Sequence, residues 1–241
     1  IVLDNGPEMA AAFLCVCAGA TAAPLNPAYR ADEFEFYLTD LKARLLVVGR
    51  ESSSPAVEVA HRLDIPLVRL VPAPATGTGS FTLEFPTGFA TRRAEKSGAA
   101  APEDTALVLH TSGTTSRPKI VPLSQRNVCT SAHNVSRTVA FGAADRGLNI
   151  MPLFHIHGLI AGILAPLSAG GEVCCTTGFN ALKFFSWMAA VRPTWYTAVP
   201  TMHQAILSRA AKNLDIVRAS TLRFIRSSSS SLPPQVIREL E

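Results

Sequence analysis

Residues 109–124 read LHTSGTTSRPKIVPLS, and this stretch decides how the chain is interpreted. The apolar, β-compatible run 105–110 leads into it, and five of the six residues from 111 to 116 carry a hydroxyl group, with Gly113 as the exception. Such residues build no core and are poor helix and strand formers. They suit a polyphosphate, because short side chains and a glycine let successive backbone N–H groups surround an anion. The stretch predicts a phosphate-binding loop between two strands.

The positions after the hydroxyl residues support this prediction. Lys119 can neutralise phosphate charge, Pro118 stiffens the backbone before it, and hydroxyl oxygens can bind Mg²⁺. The spacing differs from the Walker pattern, which has a second glycine directly before the lysine. A plain polar surface loop is the alternative, and the ordered pattern between two strand-like runs makes it the weaker one.

Composition excludes several classes of protein. The chain has 241 residues, of which 48% are hydrophobic and 17% charged, so it can form a substantial core and is not a disordered chain. The net charge of +4 is spread along the sequence without basic clusters among aromatics, which disfavours nucleic-acid binding. The five cysteines lack zinc-site spacing and are interpreted as small apolar residues, so no structural metal is predicted. The longest uncharged apolar stretch, 9–23, is too short to span a bilayer.

The order of helical and strand-like segments predicts an α/β fold. Helices are expected at 7–18, 32–43, 56–63, 124–141, 159–168, 181–191 and 200–211 and from 233, and strands at 21–25, 45–49, 67–71, 105–110, 148–151, 172–176, 194–197 and 222–226. Such alternation favours mostly parallel sheets covered by helices on both faces. The Pro-, Gly- and Thr-rich segment 72–104 is interpreted as a linker or surface excursion, with one strand at 81–85.

Two further segments follow predicted strands. PLFHIHGL, at 152–159, places His155 and His157 near a strand carboxyl end, where ligands of open α/β sheets bind. Arg226 and five serines form the second segment, which is either a serine linker or a polar turn with Ser229 and Ser230 as candidate site residues. Within TWYTAVPTMHQ, at 194–204, the aromatic residues are expected in the core and His203 is expected to be structural.

TSGTTSRPK, PLFHIHGL and TWYTAVPTMHQ together resemble the adenylate-forming enzymes, the superfamily of acyl-CoA synthetases and luciferases, and are most similar to its oxalate–CoA ligases of plants and fungi. The resemblance covers the whole chain. It implies the large N-terminal domain of that fold, in two subdomains, as a partial AMP-binding domain over residues 1–241 without the C-terminal domain. The parts are 1–71, the linker 72–104, and 105–241.

The resemblance also implies a reaction. ATP and a small carboxylic acid would give an acyl-adenylate, from which CoA would form the acyl-CoA, and oxalate is the expected acid. It implies phosphate contacts from Thr111, Ser112, Gly113, Thr114, Thr115 and Lys119, of which Thr114 and Lys119 are the catalytic candidates and Thr114 and Thr115 the Mg²⁺ candidates. His155, His157, Ser229 and Ser230 would face the acid. The Mg²⁺-binding glutamate, ribose-binding aspartate and catalytic lysine of relatives would lie beyond Glu241, so the 241 residues alone are expected to be inactive.

Several alternatives stay open. Relatives usually have glycine after the loop lysine, and this chain has Ile120, which would be strained if that backbone needs a positive φ and harmless if a strand begins there. The chain could instead belong to a 4-coumarate-like or other acyl-CoA synthetase, to a nucleotide-binding remnant without activity, or to a non-enzymatic interaction module. A cytoplasmic or peroxisomal location is expected.

Overall fold

The computed structural model describes residues 1–89, 98–111 and 118–241. The chain forms two compact units, Ile1–Val128 and Cys129–Glu241. The three parts expected from the sequence, 1–71, 72–104 and 105–241, stay a prediction. In the described residues, no helix is long and apolar enough to cross a membrane.

The first unit alternates helices and strands as expected. Its elements are α1 (Pro7–Gly19), α2 (Ala31–Asp40), β1 (Leu46–Gly49), α3 (Pro55–Arg62), β2 (Leu67–Pro72), β3 (Phe81–Glu84), β4 (Thr105–His110), β5 (Ile120–Ser124) and the start of α4 (Gln125–Thr138). Pro7 and Pro55 occupy first-turn positions, where a missing N–H is harmless. The Ser124 hydroxyl accepts the Asn127 N–H at 3.2 Å, which confirms Ser124 as the N-cap of α4.

The sheet of the first unit has the order β1–β2–β3, with β1 and β2 parallel and β3 antiparallel to β2. Apolar residues of α2 and α3 pack with Val48 in one core cluster, and Ala12 of α1 packs with Val47 in another. Because neighbouring residues of a strand point to opposite faces, helices cover both faces of this sheet, as expected. The strand predicted at 81–85 is confirmed as β3, so part of the predicted linker belongs to the sheet.

β4 and β5 form a separate antiparallel pair that connects through the hydroxyl-rich loop. The strand predicted at 21–25 is wrong, because this segment makes one isolated parallel bridge, between Ala22 and Leu107. Pro24 has no N–H to donate, so regular pairing cannot extend through it.

The second unit is built on a parallel sheet. Its elements after α4 are β6 (Arg146–Asn149), a π-helix (His157–Leu164), α5 (Ala165–Ser168), β7 (Glu172–Cys175), α6 (Phe184–Val191), β8 (Trp195–Ala198), α7 (Pro200–Ala210), α8 (Leu214–Arg218), β9 (Phe224–Ser227) and α9 (Pro234–Leu240). The strand order is β7–β6–β8–β9, and every pair is parallel. Aromatic residues of α6 and apolar residues of β6 and β8 form its main core.

The helix predicted at 159–168 begins earlier and starts with π-helical turns. A Cβ atom at Gly158 would lie 2.2 Å from the carbonyl oxygen of Pro152, and one at Gly162 would lie 2.7 Å from Oδ1 of Asn149. Glycine therefore lets this helix pack against the end of β6. π-Turns are rare and are frequent at functional sites, and His157 is the first residue of this one.

Candidate functional site

The described ends of the hydroxyl-rich loop face each other at the end of the β4–β5 hairpin. The Thr111 N–H donates to the Lys119 carbonyl at 2.9 Å, and the Lys119 N–H donates to the Thr111 hydroxyl at 3.1 Å. Both residues are exposed, so the Lys119 ammonium is available to an anion. The predicted residues Ser112, Gly113, Thr114 and Thr115 lie outside the described residues, and their phosphate and Mg²⁺ roles stay predictions.

The backbone at Ile120 does not need the positive φ angle that would strain a β-branched residue. β5 begins at this residue, and Ile120 pairs with His110 across the hairpin. Ile120 is absent from the residues with positive φ. A β-branched residue is favoured in this extended conformation, so Ile120 strains nothing and gives no reason to regard the chain as an inactive remnant.

In the second unit, polar side chains from three segments meet at the carboxyl ends of parallel strands. His157 follows β6, Thr197 lies on β8, and Arg226 on β9 is its direct partner in the parallel register. Ser228 and Ser229 follow β9. Carboxyl ends of parallel strands share one edge of a sheet, which is where ligands of open α/β folds bind. These five residues are called the polar cluster below.

The imidazole of His157 is the centre of the polar cluster. Its Nδ1 atom lies 3.1 Å from the Ser229 hydroxyl, and its Nε2 atom lies 2.7 Å from the Thr197 hydroxyl. Nη1 of Arg226 lies 3.1 Å from the same Nε2 atom and 3.3 Å from the Thr197 hydroxyl. Nη2 of Arg226 donates to the Ser228 hydroxyl at 3.4 Å. Both ring nitrogens therefore have protein partners.

Burial and charge keep His157 neutral. Its side chain is buried, and desolvation, followed by the positive charge of Arg226 and the nearby His203, lowers the pKa of His157 to about 4. Burial also lowers the pKa of Arg226, yet a guanidinium remains protonated in proteins. The polar cluster thus presents one fixed positive charge together with neutral hydrogen-bonding groups.

Arg226 has no anionic partner among residues 1–89, 98–111 and 118–241. Its three hydrogen-bond contacts go to an imidazole and two hydroxyls. Since a guanidinium has five N–H donors, two remain for another group. Charges that are partly removed from water are normally paired, so this guanidinium is suited to an anionic ligand.

Ser229 adopts a backbone conformation that is unusual for a residue other than glycine. Its φ angle is 75°, in the left-handed region, and its side chain is exposed. Such conformations are energetically costly and cluster at ligand-binding sites. The turn carries the Ser229 hydroxyl to His157 while leaving it accessible, which fits a polar turn better than a serine linker.

The predicted acid-facing residues are only partly brought together. His157 and Ser229 are in contact, whereas the exposed side chains of His155 and Ser230 make no hydrogen bond to the polar cluster. The His155 ring packs on Phe154, with ring centroids 4.5 Å apart. The roles of all four residues toward an acid stay predictions.

His203 is completely buried beside Tyr196, as expected for a structural residue. Burial lowers its pKa, and the carbonyl groups of Arg226 and Ala198 partly oppose this effect. Neither ring nitrogen makes a hydrogen bond of standard geometry within the described part of the chain. Trp195 and Tyr196 lie in the core, also as expected.

Sequence reasoning did not select Arg226 or Thr197 as site residues. A signal was present, because a charged residue at the carboxyl end of a parallel strand is unusual unless it binds something. The direct pairing of Thr197 with Arg226 depends on the strand register, which the sequence alone does not reveal.

Comparison with known proteins identifies the family of the chain. The whole chain, residues 1–241, matches the family described as AMP-binding enzyme. The chain belongs to this family. It is 42% identical to an oxalate–CoA ligase of Arabidopsis thaliana and 33% identical to one of Saccharomyces cerevisiae, covering 100% of the chain and 47% of each relative. The family match confirms the resemblance of the three quoted motifs.

A solved structure shows the same fold. It is described as a malonyl-CoA ligase ternary product complex with methylmalonyl-CoA and AMP bound, and it superposes with a TM-score of 0.79 at 25% identity. The match covers 99% of this chain and 48% of that one. The fold is thus that of the N-terminal domains of adenylate-forming enzymes, as predicted. The chain spans about half the length of the curated relatives it matches.

Proposed function

We propose that this chain is the nucleotide- and acid-binding part of an ATP-dependent acid–CoA ligase that uses a compact dicarboxylic acid, with oxalate as the preferred substrate. The observation that carries the choice of acid is the half-buried guanidinium of Arg226, which has no anionic partner among the described residues. A second carboxylate on the acid would supply that partner. The similarity to oxalate–CoA ligases points to the same acid.

In the proposed first step, one carboxylate oxygen of the acid attacks the α-phosphorus of ATP, and the bond to pyrophosphate breaks. The Thr111 hydroxyl and the exposed Lys119 ammonium would hold the triphosphate. They contribute positioning and charge stabilisation, because this adenylyl transfer, like phosphoryl transfer, leaves little covalent work to the protein. Thr114 or Thr115 would bind the Mg²⁺ that shields phosphate charge.

In the second step, the CoA sulfur bonds to the acyl carbon, the bond from this carbon to the phosphate oxygen of AMP breaks, and the thiol proton passes to solvent. Throughout both steps Arg226 would bind the carboxylate that does not react. His157, with its pKa of about 4, stays neutral near pH 7 and therefore leaves the charge of the polar cluster to Arg226. A cytoplasmic or peroxisomal location stays a prediction.

A panel of acids tested with the complete protein that contains this chain would decide the proposal. CoA-dependent pyrophosphate release should be fastest with oxalate and much slower with oxamate, in which an uncharged amide replaces one carboxylate. Hydrogen bonds to charged groups contribute about 1.5–3 kcal/mol, so Arg226→Gln should reduce the preference for oxalate over oxamate by roughly 10- to 100-fold.

Arg238→Gln is the matched control, because it removes the same charge from an exposed position on α9. It should leave the preference for oxalate unchanged. A preference for coumarate over oxalate would contradict the proposed acid. Failure of every acid would contradict the ligase and favour a nucleotide-binding remnant.

A further inference from the structure

The hydrogen-bonding partners of His157 determine which ring nitrogen carries its proton. Arg226 contains donors only and approaches Nε2 at 3.1 Å. If Nε2 carried a proton, two N–H groups would point at each other. Nε2 is therefore the acceptor, and the Thr197 hydroxyl, at 2.7 Å, can donate to it as well. In a neutral imidazole the proton must then reside on Nδ1.

The position of the proton on the His157 ring also fixes the orientation of the Ser229 hydroxyl. Nδ1 of His157 lies 3.1 Å from this hydroxyl. With the proton on Nδ1, the ring donates to the serine oxygen, and the serine proton is free to point elsewhere. With the proton on Nε2, the serine would donate to the ring instead. Ser229 makes no other side-chain hydrogen bond within the described part of the chain.

We infer that Arg226, besides the carboxylate contact proposed above, also acts as a positioning residue, which locks His157 in the Nδ1-protonated tautomer and thereby makes the exposed Ser229 hydroxyl a hydrogen-bond donor to the acid. The lock itself follows from the protein contacts alone. The hydrogen bond from Ser229 to the acid rests on the proposed function, because that proposal identifies the acid as the ligand. This arrangement breaks no bond and transfers no proton, because it acts only by orienting the ring of His157 and the hydroxyl of Ser229.

The tautomer can be measured without any substrate. In the ¹⁵N-histidine-labelled complete protein near pH 7, we expect the His157 signals to show a protonated Nδ1 and an unprotonated Nε2, assigned by their loss in His157→Gln. Arg226→Met removes the donors from a side chain of similar length, so the Nε2-protonated form should become detectable. Arg226→Lys keeps a side chain that can donate hydrogen bonds but cannot accept them, so it should restore the Nδ1-protonated form.

The role of Ser229 is tested separately. Ser229→Gly removes the hydroxyl and tolerates the φ angle of 75°, so the turn should be retained. Loss of one hydrogen bond to a charged group should raise the KM for oxalate by about tenfold while the KM for ATP is unchanged. Ser231→Ala, which removes an exposed hydroxyl two positions away, is the control.

The two measurements separate the possible failures. A protonated Nε2 in the unmodified protein, or an unchanged tautomer in Arg226→Met, would overturn the positioning role. A normal tautomer pattern with an unchanged KM for oxalate in Ser229→Gly would overturn the serine–acid contact. Absence of turnover with every acid would instead overturn the proposed function, and the NMR result would still decide whether Arg226 sets the tautomer.

Discussion

The low pKa of His157 predicts how the stability of the second unit responds to acid. In the folded protein this imidazole takes up a proton only near pH 4, whereas in the unfolded chain it does so near pH 6.5. Between these values the unfolded state binds more protons, so the free energy of unfolding falls as the pH falls. At about 1.4 kcal/mol per pKa unit, the contribution lost on going from pH 7 to below pH 4 is at most about 3 kcal/mol.

Substitution isolates this contribution from that of the other titrating groups. His157→Gln keeps a polar side chain but cannot titrate, so its stability should lack this part of the pH dependence. The stability difference between the unmodified chain and His157→Gln should therefore be largest above pH 6.5 and shrink by about 3 kcal/mol by pH 4. His133→Gln, which removes an exposed imidazole on α4, is the control substitution.

Urea unfolding followed by tryptophan fluorescence suits this measurement. The chain has two tryptophans, Trp187 and Trp195, and both belong to the unit Cys129–Glu241 that contains His157. Their fluorescence thus reports the unfolding of that unit. If the difference between the unmodified chain and His157→Gln is the same at pH 4 and pH 7, the imidazole titrates equally in both states, and the buried, Arg226-facing environment described above is refuted.

Two further predictions concern the scaffold of the second unit. Gly158→Ala should destabilise this unit by about 1–3 kcal/mol, because the new Cβ atom would lie 2.2 Å from the Pro152 carbonyl oxygen. In the control, Gly142→Ala, the new Cβ atom meets nothing within 4 Å, so the urea midpoint should change little. Asp145→Asn should cost about 2–3 kcal/mol, since this buried carboxylate accepts hydrogen bonds from Arg223, Thr194 and the Gly142 N–H. Burial alone would raise the pKa of Asp145. The hydrogen bonds from these donors have the larger effect, so the pKa is lowered. Glu172→Gln, at an exposed ion pair with Arg146, should cost less than about 1 kcal/mol in the same urea titration. Equal losses within either pair of variants would contradict the contacts described.

Local chemistry made most of the fold predictable. Apolar periodicity and first-turn prolines located the helices, and Ser124 was recognised as a cap because its side chain acts within one turn. The misassigned strand at 21–25 shows the limit of this reasoning, since apolar residues there pack well but Pro24 prevents a regular ladder. The π-helical start at His157 depends on Pro152 and Asn149, which contact Gly158 and Gly162 only in the folded chain.

The polar cluster was predictable in part for the same physical reason. The sequence predicts His157 and Ser229 because polar residues after strands gather at one edge of a parallel sheet. It predicts His155 as well, since the sequence does not show that a turn directs neighbouring histidines differently. In the fold, His157 is buried among polar partners and His155 is exposed on Phe154.

Arg226 lies within β9, so a rule based on residues that follow strands does not select it. An arginine before a run of serines resembles a surface position, because its long side chain can often carry the charged guanidinium to water. The parallel register places Arg226 beside Thr197, and both then face the imidazole of His157. These partners of the arginine are neutral, and no anionic group among the described residues pairs with its positive charge. A half-buried charge without an anionic partner is suited to an anionic ligand, and the proposed dicarboxylic acid would supply that partner.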